Sequence, residues 1–141
     1  MRLKFIKEED FVNYKKASMF LGTCFCDFKC CKENGLPTSV CQNEPWSKEP
    51  IKEYDINFLL NTFDNNVIVE SFVFGGMEPF LQIDEILDFL KCKSNHSSDK
   101  VKNADVVIYT GYDIDGNEYF DFLQAGGPTV LGSNPKEVRD Q

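Results

Sequence analysis

Val67-Ile-Val-Glu-Ser-Phe-Val-Phe74, followed at once by Gly75-Gly-Met-Glu-Pro79, is the stretch that decides the fold. The first eight residues are almost continuously apolar, β-branched or aromatic. That pattern predicts a strand buried on both faces of a parallel sheet, because an antiparallel strand with one wet face alternates instead. The two glycines and the proline then predict a sharp turn into a helix.

Working outward, Ala17 to Thr23 reads as a short first strand. On the near side, Asp55 is a candidate N-cap for a helix carrying Ile56, Leu59, Leu60 and Phe63 at helical spacing and ending at Asn65-Asn66. On the far side, Ile83, Ile86, Leu87 and Leu90 form the apolar stripe of a second helix. Lys93 to Lys102 reads as a solvated polar loop, and Asp105 to Tyr109 as a third buried strand ending in Thr110-Gly-Tyr112. Strand alternating with helix implies an α/β architecture with a mostly parallel sheet and right-handed crossovers. Ligands in such sheets sit at the carboxyl ends of the strands. The loop after the first strand, the glycine turn and Thr110-Gly-Tyr112 therefore belong on one rim. Tyr119 to Asn134 carries turn signals but no decisive period.

With 141 residues the chain is expected to be one domain, burying roughly 68–70% of its unfolded surface. A hydrophobic fraction of 42% and 13 phenylalanines predict a packed core. The net charge of −8, without a basic stripe, argues against nucleic-acid partners. No apolar run approaches a membrane span, and the first ten residues carry acids early, unlike a secretory signal. The expected location is the cytoplasm, where thiols stay reduced and clustered cysteines serve metal or redox chemistry.

Five of the six cysteines, Cys24, Cys26, Cys30, Cys31 and Cys41, follow the first strand within eighteen residues; Cys92 stands alone. Zinc is one occupant of such a loop, although zinc modules usually use Cys-x2-Cys knuckles and none occurs here. The single histidine, His96, lies in the polar loop. An iron–sulfur cluster is the other. Lys29 and Lys32 alternate with the thiols and would favour thiolates, or are simply solvated.

Cys26-Asp-Phe-Lys-Cys30 is similar to the first half of the radical S-adenosylmethionine (SAM) signature Cys-x3-Cys-x2-Cys, and Cys41-Gln-Asn-Glu-Pro-Trp46 resembles its third cysteine with a nearby tryptophan. Gly75-Gly76-Met77-Glu78-Pro79 resembles the family's Gly-Gly-Glu-Pro motif with Met77 inserted. Val107-Ile-Tyr-Thr-Gly-Tyr112 and Gly132-Ser-Asn134 resemble segments of the branch that activates anaerobic ribonucleoside-triphosphate reductases. The ordered set spans residues 17 to 134. The departure is the ten residues between Cys30 and Cys41 where the family has two. Lengthening that loop costs about 1 kcal/mol of closure entropy, against about 10 kcal/mol available from metal–thiolate binding.

The resemblance implies an incomplete radical-SAM-type barrel with a curved, mostly parallel sheet. It implies a 4Fe-4S cluster held by Cys26, Cys30 and Cys41, with Cys31 an alternative to Cys30, and with SAM chelated on the iron that three thiolates leave open. SAM would be cleaved reductively to methionine and a 5′-deoxyadenosyl radical. Gly75, Gly76 and Glu78 would meet the SAM amino group, and Tyr109 and Tyr112 would line the adenosine pocket. The implied activity is that of an activase taking a hydrogen atom from a protein partner, a glycyl-radical enzyme, with electrons from a small redox protein. The alternative is a non-catalytic iron–sulfur or zinc module for electron transfer, structure or regulation.

Overall fold

The computed structural model describes residues 1–26, 35, 37 and 48–110, together with the backbone of 129–132. Its centre is β5 (Ser71–Gly75), all five residues of which are buried. It lies between β3 (Ser18–Gly22) and β6 (Asp105–Tyr109), and β7 (Thr129–Gly132) pairs beyond β6. These four strands are parallel, and β2 (Phe5–Asp10) joins antiparallel to β3. A separate antiparallel ribbon pairs β1 (Arg2–Leu3) with β4 (Lys52–Glu53). The architecture is mixed α/β with a mostly parallel sheet, as the strand–helix alternation predicts.

Asp55 caps α1 (Ile56–Asn65) through its Oδ1, which accepts from the backbone N–H groups of Asn57 and Phe58. A single 3-10 turn, Pro79–Gln82, leads into α2 (Ile83–Ser94), and α3 (Asp99–Asn103) precedes β6. Strand residues divide by parity, as the period of two requires. Met19, Leu21, Phe72, Phe74, Val106 and Ile108 meet Leu59, Leu60, Phe63, Ile86, Phe89 and Leu90 from the helices in the main core. Phe20, Val73, Val107 and Tyr109 point to the opposite face, where they pack with Tyr14. Residues 11–16 are pinned across that face. The Tyr14 hydroxyl donates to Asp105 Oδ2 at 2.8 Å, and Lys16 Nζ sits 2.9 Å from the same oxygen. Burial pushes the Asp105 carboxyl up, but hydrogen bonds from Lys16 and Tyr14 outweigh it and hold the group below its usual range.

Three sequence expectations need correction. The strand predicted from Val67 begins only at Ser71, and Val67 is 95% exposed. The cause is local: Asn66 Oδ1 accepts from the N–H groups of Ile68 and Val69, closing a side-chain turn that competes with the ladder. The strand at Ala17 to Thr23 is not the first: β1 and β2 precede it, and β2 includes the charged segment Lys7-Glu-Glu-Asp10 that the hydrophobic pattern does not announce. Lys93 to Lys102 is not a plain loop: it holds the end of α2 and most of α3, and the Lys93 side chain is buried.

The Lys93 ammonium donates to the carbonyl of Lys102 at 2.8 Å, near the C-terminal end of α3. Burial pushes its pKa down, opposed by the attraction of Asp105. Between the lowered folded value and the unfolded 10.5, the unfolded chain binds more protons, so stability rises with pH across that window. Lys93→Met is expected to remove this alkaline gain. Urea midpoints at neutral pH and near the upper end of the window check it; parallel pH dependence of the two proteins would contradict it. Among the described residues no helix is long and apolar enough to cross a membrane.

Candidate functional site

The parallel register brings the strand ends level. Gly22 is the partner of Gly75, and Phe74 of Ile108, so β3, β5 and β6 finish on one rim. From β3 the chain continues through Thr23, whose N–H (2.8 Å) and Oγ1 (3.0 Å) both donate to the Gly75 carbonyl. Two residues further on, the Phe25 carbonyl accepts from the Glu78 N–H at 2.7 Å. The root of the cysteine loop is thus bonded directly to the glycine turn. Cys26, the next residue, is half-buried.

The third strand end joins through Glu78. Its buried Oε2 accepts from Thr110 Oγ1 and from the Phe80 N–H, both at 2.8 Å. Glu78 is therefore the cap of the 3-10 turn and a strut to β6, with Pro79 at the first helical position. The inserted Met77 is buried. Removing the carboxylate leaves two donors to find other partners, so Glu78→Ala should cost about 1–3 kcal/mol. Glu78→Gln keeps an acceptor oxygen and should cost less. Thermal unfolding of the two variants measures the difference.

Gly76 adopts φ 87°, in the left-handed region where glycine carries no Cβ penalty. At Gly75 a Cβ would lie 2.9 Å from the Phe20 ring. The room left by the missing side chain is taken by Phe20, which stacks on Phe5 with ring centroids 5.5 Å apart. Tyr109 lies on that same face, where its hydroxyl donates to the Asn13 carbonyl. It thus holds the 11–16 segment to the sheet. Cys30, Cys41 and Tyr112 lie outside the described residues, as do Cys31 and Trp46.

Around the root of the loop is a network that sequence patterning did not reveal. Gln82 Oε1 accepts from the Cys24 N–H at 2.7 Å, and Gln82 Nε2 donates to the Arg2 carbonyl and Glu85 Oε2, both at 2.9 Å. Arg2 forks onto both Glu85 oxygens and places its guanidinium 5.1 Å from the Phe25 ring centroid. Burial acts to raise the Glu85 pKa, but the hydrogen bonds from Arg2 and Gln82 prevail and hold it at about 2. Cys24 is the opposite case. Burial pushes its thiol up, against the pull of Lys4. Of the two described cysteines at this rim, Cys26 is the less buried. Among the described residues no group of three His, Cys, Asp or Glu gathers around a common point, and the described part of the cysteine set includes only one of the three expected ligands. Comparison with known proteins returns no match to any family model, curated protein or solved structure.

Proposed function

We propose that the chain is a radical-SAM-type enzyme on an incomplete barrel, binding a 4Fe-4S cluster through Cys26, Cys30 and Cys41 and SAM beside the Gly75–Glu78 turn. The observation that carries the proposal is the hydrogen bond from the Glu78 N–H to the Phe25 carbonyl, with Thr110 closing the same rim. It joins Phe25, the residue before Cys26, to the glycine turn at the carboxyl ends of parallel strands, where α/β folds bind their ligands.

When bound, the cluster supplies one electron for reductive cleavage of the SAM sulfonium. The chain's own residues hold and shield. Thr23 and Glu78 fix the loop root against β5, and Arg2 lies over the Phe25 ring. Gly75 ends β5, Gly76 takes the left-handed turn that follows it, and the Glu78 carboxylate ties that turn to Thr110. The proposed substrate is a protein, a glycyl-radical enzyme docking over the rim, with a small redox protein as electron donor in the cytoplasm.

Incubation of the iron-loaded chain with SAM and a strong reductant is expected to release 5′-deoxyadenosine. Iron-loaded protein that releases none would favour the second reading, an iron–sulfur or zinc module without catalysis. Two observations speak for that second reading: the Glu78 carboxylate already serves Phe80 and Thr110, and Phe20 fills the space beside Gly75.

A further inference from the structure

We infer that Gln82 is the positioning residue of the cysteine loop, setting the direction in which the chain leaves β3 towards Cys26. Gln82 is buried, and each half of its amide has an assigned task. The carbonyl oxygen takes the Cys24 N–H, a donor that has left the β3 ladder and lies in a buried region. The NH2 group is fixed from the other side by the Arg2 carbonyl and by Glu85 Oε2. Because both donors are engaged, the amide cannot flip without breaking all three bonds. Arg2 completes the frame by gripping Glu85 while its guanidinium stacks over Phe25. Residues 24 and 25, immediately before Cys26, are therefore held by one side chain from the turn preceding α2 and one from β1. A ligand loop whose two residues before the first thiol are held in this way enters the site in a set direction, and such supporting bonds tune a metal centre as its direct ligands do. The metal part of the inference rests on the proposed cluster; the anchoring of Cys24 does not.

The test has two arms and uses the full chain. In metal-free protein, alkylation of Cys24 by iodoacetamide is followed peptide by peptide, with Cys92 as an internal reference on α2. Gln82→Leu should speed Cys24 labelling about tenfold, equivalent to about 1.4 kcal/mol of local opening, while Cys92 keeps its wild-type rate. Arg2→Ala, an exposed truncation, should give a smaller increase of the same pattern. An unchanged Cys24 rate in both variants, or equal acceleration of Cys24 and Cys92, overturns the inference.

In the second arm the iron-loaded proteins are reduced and compared by electron paramagnetic resonance and midpoint potential. A changed spectrum or potential in Gln82→Leu supports positioning of the centre, and an unchanged one overturns that part. Wild-type protein that takes up no iron sinks the proposed function, and the alkylation arm then still decides the role of Gln82.

Discussion

Replacing Cys26, Cys30 or Cys41 by alanine is expected to abolish iron binding, while Cys92→Ala leaves it intact. Three thiolates are the fewest that hold a four-iron cluster with one iron open, so each loss removes a required ligand. Cys24 is a poor replacement because it is buried and its backbone N–H is tied to Gln82. Cys92 sits on α2, within the helix layer. Metal content by emission spectrometry after anaerobic reconstitution gives the answer. Full iron content in Cys41→Ala would show that the distant cysteine is not a ligand. Loss of iron in Cys92→Ala would point to a centre of different composition.

Phe72→Ala is the largest expected loss of stability. Phe72 lies in β5 with its ring stacked on Phe63 at 4.0 Å and edge-on to Phe89 at 5.0 Å, and Phe89 in turn meets Phe74 at 5.1 Å. All four rings are buried, so truncation opens a cavity at the meeting point of sheet, α1 and α2. The expected cost is about 3–5 kcal/mol, a large share of the roughly 5–15 kcal/mol that stabilises an ordinary domain. Val67→Ala, five residues earlier in the same apolar run, should cost less than about 0.5 kcal/mol because the side chain is in water. Urea unfolding of the pair measures both. Equal losses would mean that the run is buried throughout, contrary to the observed start of β5.

The same contrast shows what a sequence reading reaches. Asp105 to Tyr109 agrees with β6 residue for residue, and Asp55 is the cap predicted for α1. Both are decided by local chemistry: a short apolar run bounded by polar residues, and a side-chain oxygen two residues from the N–H it accepts. Val67 and Ile68 are as apolar as Val73, yet a turn made by the neighbouring Asn66 keeps them out of the sheet. The β2 strand hides behind its charges because it is an edge strand, with Lys7 and Glu8 both exposed. Lys93 looks solvated until α3 folds back and offers it a carbonyl.

At the rim, topology alone predicted that the first cysteine loop and the glycine turn would meet, and the Glu78–Phe25 bond joins them. The bond from Thr110 to Glu78 needed register, since their positions differ by 32 in sequence. Gln82 was invisible for a related reason: it reads as an ordinary helix-start residue, and its partner Cys24 lies 58 positions away. The glycines were legible as a tight turn. That aromatic rings occupy the space beside them depends on which face Phe5 and Phe20 take.

The central claim is a thiolate-bound cluster with one iron open to SAM, and an iron count with spectra taken before and after adding SAM tests it most directly. Anaerobically reconstituted chain should be brown, carry about four irons, and change the resonance spectrum of its reduced form when SAM binds the open site. A colourless chain holding a single zinc ion, with no spectral response to SAM, would contradict the account.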